Sequence, residues 1–152
     1  MLMSKEQYLQ HPLFASYLAG LWEGDGHIIC PKYNDQNVLI NTPSFHITFG
    51  KRNAPLCNLL CSHYGGWIRD KVKESSLVWS ITKLDELGSI TGVLNGFLIT
   101  PKIQEFSLLI TYFNEKSPVK EPLKRLDNSP LDSNYWLSGL IDTDGGFKIR
   151  AP

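Results

Sequence analysis

Only three of the 152 residues are cysteine, Cys30, Cys57 and Cys61, too few and too irregularly spaced for a disulfide framework. Cys57 and Cys61 stand four apart with His63 nearby. This trio matches no common zinc spacing, and small thiols packed into a core are the simpler reading. No apolar run approaches the ~20 residues that a bilayer span requires, so no membrane role is expected. Met1 to Gln10, which include Lys5 and Glu6, hold no apolar signal core, and nothing marks secretion. An excess of charge of either sign is also missing. Fifteen basic residues balance fifteen acidic ones, where duplex-binding proteins usually carry a basic surplus. Any contact with phosphates must therefore depend on where the cations sit.

What is present, 42% hydrophobic and 20% charged residues, suits a globular domain with a proper core. A helical pattern starts at His11-Pro12-Leu13, with Pro12 in the first turn, and runs through Phe14, Tyr17, Leu18, Leu21 and Trp22 to Gly24 and Gly26. Strands are expected over Ile28 to Tyr33 and Val38 to Phe49, the second broken near Pro43, with a turn at Asn34 to Asn37. A helix follows from Ala54 to Tyr64, stopped by Gly65-Gly66. Trp67 to Lys73 and Leu77 to Thr82 read as a hairpin across Glu74-Ser75-Ser76. Two helices are expected next, one over Asp85 to Leu94 and one from the Thr100-Pro101 cap to about Asn114. Lys116 to Pro130, with Pro118, Pro122 and Pro130, reads as a linker. A last helix is expected after a cap at Asp132 or Ser133, with a strand beginning at Phe147-Lys148-Ile149. The order is α-β-β-α-β-β-α-α, divided as a domain over 1–115, a linker over 116–132, and the start of an incomplete second domain over 133–152.

One nine-residue pattern occurs twice. Leu18-Ala19-Gly20-Leu21-Trp22-Glu23-Gly24-Asp25-Gly26 is matched by Leu137-Ser138-Gly139-Leu140-Ile141-Asp142-Thr143-Asp144-Gly145. Small residues four apart, Gly20 with Gly24 and Gly139 with Thr143, share a helix face on which two backbones can approach closely. A glycine inside a helix costs about 1 kcal/mol relative to alanine, which argues for a packing reason. The acids are equally unusual, since a carboxylate in the last turn faces the negative end of the helix dipole and loses about 0.3–1 kcal/mol. Two such helices side by side would bring Asp25 and Asp144 together. A divalent cation held by one or two carboxylates, phosphate oxygens and water would relieve both penalties. Exposed acids in ordinary helix-ending turns are the plainer alternative for one copy, and two matching copies argue against it.

Both segments resemble the signature of the LAGLIDADG homing endonucleases of the organelle intron-encoded type, with Ala or Ser, Gly, Leu, acid, acid and Gly in register. The resemblance implies an α+β fold of αββαββα type. Its four-stranded antiparallel saddle sheet would lie in the DNA major groove, and paired signature helices would join two halves. It implies site-specific, Mg²⁺-dependent double-strand cleavage. The second acid of each copy, Asp25 and Asp144, would be both catalytic and metal-binding, and Glu23 and Asp142 would not be ligands. Phe97 to Lys102 resembles the family segment whose lysine lies near the active-site water, which makes Lys102 a catalytic candidate. Candidate nucleic-acid contacts on the strands are His27, Ile29, Lys32, His46, Lys51 and Ser80. To these Trp67 to Lys73 adds Arg69, Lys71 and Lys73 on one strand side. A second chain or a homodimer would complete the fold on double-stranded DNA. The alternative is a catalytically inactive binder of structured RNA, such as an intron maturase or a component of an RNA–protein assembly. Either role places the chain in a mitochondrion or chloroplast, the mitochondrion preferred.

Overall fold

The structure is a computed structural model that describes residues 7, 9 and 11–144, with the side chains of 143 and 144 outside the described set. Helix α1, Pro12–Asp25, opens where the His11 ring Nδ1 accepts the Leu13 N–H at 3.1 Å, and Pro12 needs no partner for a missing N–H. It ends at Gly26, whose extended backbone leads straight into strand β1, Gly26–Ile29. Helix α1 is apolar on nearly all sides because it is buried on nearly all sides, and Leu18, Ala19, Leu21 and Trp22 are at most 1% exposed.

The expected long strands are each cut at a proline. Strand β1 stops before Cys30-Pro31, and Lys32–Tyr33 (β2) pairs separately with Leu39–Asn41 (β3) as a small ribbon. The main sheet resumes after Pro43 with β4, Ser44–Gly50. A residue with no N–H cannot extend a ladder, so each proline ends a pairing. Helix α2 (Ala54–Tyr64) follows the expected bounds and ends at Gly65, φ +94°. The hairpin β5 (Trp67–Lys71) to β6 (Ser76–Ile81) turns earlier than expected, its first strand ending two residues sooner and its second beginning one residue sooner, through a short 3₁₀ turn at Val72–Glu74 and left-handed Ser75. Helices α3 (Leu84–Leu94), α4 (Ile103–Lys116) and α5 (Trp136–Asp144) complete the order. The last begins later than expected. Asn134, rather than Asp132 or Ser133, offers its side-chain oxygen to the Trp136 N–H at 3.0 Å. The expected strand at Phe147-Lys148-Ile149 lies outside the described residues.

The four-stranded antiparallel sheet has the order β1-β4-β6-β5. Its inner face carries Ile28, Phe45, Ile47, Phe49, Trp79 and Ile81, which pack with α1, with Leu60 of α2, with Leu87 and Ile90 of α3 and with Phe106 and Leu109 of α4. Trp22 is wedged between Phe45 and Phe106, with ring centroids 6.0 and 5.9 Å away. The stretch after α4 contains no helix or strand but is pinned to the domain. Asn95 donates to Glu121 and Pro122 and accepts from the Lys124 N–H, and the Asp127 N–H donates to the Leu98 carbonyl at 2.7 Å. The chain thus delivers α5 against α1 from a tethered path. No helix among the described residues is long and apolar enough to cross a membrane.

Candidate active site and nucleic-acid face

Helices α1 and α5 meet at the two glycines the repeat singles out. A Cβ on Gly20 would lie 2.0 Å from the Trp136 carbonyl, and a Cβ on Gly139 would lie 2.0 Å from the Tyr17 carbonyl. Tyr17 and Trp136 hold equivalent places in the two copies, so the contacts mirror each other. The mirror extends to the first acids. Glu23 accepts the indole N–H of Trp136 at 3.3 Å, and Asp142 accepts the hydroxyl of Tyr17 at 2.7 Å. Two helices related by a local two-fold axis produce reciprocal pairs of this kind.

Glu23 is buried and does more than bridge the helices. Its two carboxylate oxygens accept the backbone N–H groups of Ile99 and Thr100, each at 2.7 Å. The first acid therefore ties α1, the turn before α4 and α5 into one unit. Asp25 ends α1 and is half-buried beside Lys102, whose charge it supports. The Lys102 ammonium donates to the carbonyls of Trp22 at 3.2 Å, Glu23 at 3.3 Å and Gly26, and stands 5.3 Å from the Trp22 ring centroid. Burial lowers its pKa below the usual lysine value, while Glu105, Glu23 and Asp25 oppose that shift. A cation on the last carbonyls of α1 offsets the dipole penalty that the acids incur. Asp144 ends α5, and its side chain lies outside the described residues.

The donor chemistry at the α1 end fits a hard cation. Asp25 supplies a carboxylate, and the described residues contain no group of three or more histidine, cysteine or acidic side chains that could hold a metal ion by themselves. One or two carboxylates completed by phosphate and water is the usual manner of holding Mg²⁺. Cys57 and Cys61 behave as core groups. Cys57 is fully buried with its thiol pushed up to about 11 by burial, and the Cys61 thiol donates to the Gly66 carbonyl.

The outer face of the sheet gathers most of the expected strand contacts. Pairing places His27 opposite His46, His46 opposite Ser80, and Ser80 opposite Trp67, which makes one row across all four strands. A second row runs Thr48, Val78, Arg69, and a third Gly50, Ser76, Lys71. Together His27, Ile29, His46, Thr48, Trp67, Arg69, Lys71, Val78 and Ser80 line a groove of about 290 Å³. Three expected residues sit elsewhere. Lys73 lies in the 3₁₀ turn rather than on the strand face, because the strand ends at Lys71. Lys32 belongs to the β2–β3 ribbon, and Lys51 starts the turn after β4 and pairs with Asp70 at 3.3 Å. Thr48, Trp67 and Val78 line the groove unforeseen. The even-numbered alternation of β4 pointed to Thr48, and Trp67, 49% exposed, falls on the same strand side as Arg69 and Lys71.

The LAGLIDADG endonuclease profile matches residues 18–114, from the first signature into the last turn of α4. This chain belongs to the LAGLIDADG endonuclease family. Among its curated relatives is the intron-encoded DNA endonuclease aI3 of Saccharomyces cerevisiae (strain ATCC 204508 / S288c), 30% identical over 164 aligned positions. That alignment covers 97% of this chain and 40% of the relative. The uncharacterized cox1 intron-2 37.2 kDa protein of Schizosaccharomyces pombe (strain 972 / ATCC 24843) is 26% identical over 90% of this chain and 40% of its own length. The chain thus spans about 40% of the length of the curated relatives it matches. Among solved structures, the LAGLIDADG meganuclease I-CpaMI bound to uncleaved DNA superimposes with a TM-score of 0.60 at 15% identity, covering 84% of this chain and 57% of that one. The homing endonuclease I-GzeII in complex with its DNA target gives 0.61 at 15%, with 86% and 57% covered. At such identity these structures establish the LAGLIDADG fold of the chain, α+β with a four-stranded antiparallel sheet.

Proposed function

We propose that this chain is the DNA-holding half of a site-specific homing endonuclease that cleaves both strands of a duplex with Mg²⁺. The observation that carries the reading is the reciprocal pairing of α1 with α5, which repeats glycine, aromatic and first acid on both sides of one local axis. Such a pair sets two helix ends, Asp25 and Asp144, side by side. Bound there, Mg²⁺ would supply a polarised water and charge neutralisation for the cleaved phosphodiester. Asp25 and Asp144 would hold it, and Lys102 would fix the end of α1 beside Asp25 through its bonds to the last carbonyls of that helix. The sheet face, with Arg69 and Lys71 at one edge and His27 at the other, would lie along the major groove.

In this reading residues 1–115 form the first domain, 116–132 the connector, and 133–152 carry the second signature helix and the start of a second domain. Within this chain α5 already occupies the pairing face of α1. A second copy joining through α1 would have to displace α5, so a chain or segment that brings the other sheet is the better fit than a simple homodimer. The names of the curated relatives, both intron-encoded and one from a cox1 intron, favour the mitochondrion as the place of action.

The test is binding and cleavage on a duplex library with Mg²⁺, with the chain alone and with the matching second half of a longer relative. Binding should weaken steeply with salt and cleavage should require the second half. Tighter binding to structured intron RNA, without cleavage of DNA in any combination, would establish the RNA-binding alternative instead.

A further inference from the structure

The row His27–His46–Ser80–Trp67 contains a second device, built around one ring. Both nitrogens of His46 are engaged, Nε2 with the Ser44 hydroxyl at 2.6 Å and Nδ1 with the Ser80 hydroxyl at 2.7 Å. Both serines are buried, 5% and 4% exposed, and both hydroxyls are engaged with the His46 ring. A half-turn of the imidazole would exchange nitrogens for carbons and lose both bonds at once. His46 is therefore a fixed plate with no nitrogen left to offer a base. On this plate lies the ring of His27, nearly parallel at 12° with centroids 4.5 Å apart. His27 is exposed, sits on edge strand β1 and lines the groove. A neutral imidazole presents one donor and one acceptor.

We propose that His27 reads one base edge in the major groove and that Ser44 and Ser80 are positioning residues that act on it through His46. The inference rests on the DNA-binding reading above and adds to it the residue that discriminates and the pair that holds it. An exposed histidine free to rotate would spread its donor and acceptor over many directions. Stacking on a locked ring confines the His27 edge to one plane, which is what base discrimination requires. Trp67, at the other end of the row, stands opposite Ser80 and lines the same groove.

The experiment is selection from a randomised duplex library, sequenced for the wild-type chain and for His27→Ala, Ser44→Ala, Ser80→Ala and Ser80→Thr. Imidazole nitrogen NMR of the same proteins reports the His46 ring. His27→Ala should flatten the preference at a single base pair about tenfold, leaving the salt dependence of binding unchanged. Each serine-to-alanine change should reproduce that flattening with His27 intact and should broaden or shift the His46 nitrogen signals. Ser80→Thr, which keeps the hydroxyl, should restore both. Serine variants whose base preferences match the wild type would overturn the proposal, and so would a uniform loss of affinity at every position. A wild-type chain that selects no duplex sequence would instead overturn the DNA-binding reading, and this inference with it.

Discussion

The two acids of the first signature differ in role because they differ in surroundings. Glu23 satisfies two backbone N–H groups and one indole in a buried site, whereas Asp25 sits half-exposed at the helix end. Replacing Glu23 by Ala would strand those donors, and we expect a loss of about 3 kcal/mol in stability, read by urea denaturation. Asp25→Asn should change stability by about 0.5 kcal/mol or less, since a carboxylate there opposes the dipole. The motif predicted only that Glu23 would not bind metal; its role as a staple was not legible, because its partners Ile99 and Thr100 lie 76 and 77 positions away. His46 yields a pH prediction. Burial, with His27 and Arg69 adding to it, lowers its pKa from 6.5 to about 4. The folded state then prefers the neutral ring, so its contribution is complete above pH 6.5 and is lost as pH falls from 6.5 towards 4. Melting temperatures between pH 7 and 4 should decline in the wild type more than in His46→Gln.

Among the elements, the α1–α5 pair was the most legible from sequence, and the strands the least. The repeat named Gly20 and Gly139, and each meets a backbone carbonyl of the other helix where a Cβ would stand. Gly20→Ala and Gly139→Ala should each cost about 1–3 kcal/mol by forcing the helices apart. Together they should cost less than the sum, because separating the helices once relieves both clashes. Thermal melts of the two single variants and the double variant measure this. The strands were misjudged at Pro31 and at Lys71–Ser75 for a local reason. Alternation of side chains continues in the sequence beyond the point where a missing N–H or a 3₁₀ turn ends the pairing. That is why Lys73 was placed on the sheet face and in fact lies in the turn. Trp67 was readable from the same alternation, since it falls on the strand side of Arg69 and Lys71 and faces the groove opposite Ser80.

At the scale of the molecule, a neutral chain with a pI of about 6.9 gives little long-range attraction to a polyanion. In the proposed function the cations that would matter are local, Arg69 and Lys71 at the β5 edge of the groove and Lys102 at the foot of α1. Charge-reversing Arg69→Glu should weaken duplex binding about tenfold at low salt and less as salt rises, which titration at several ionic strengths would record. The element order and the duplicated helix were readable because both rest on short-range patterns. The reciprocal Tyr17–Asp142 and Trp136–Glu23 contacts were not, since they exist only once the helices have met. The account turns on whether that meeting places Asp25 at a cleavage site. The direct measurement is Mg²⁺-dependent cleavage of a selected duplex by the chain completed with a second half, comparing the wild type with Asp25→Asn. The expected result is cutting by the wild type alone, with both proteins binding the duplex equally. Equal cutting by Asp25→Asn, or binding by both with no cutting in any combination, would contradict it.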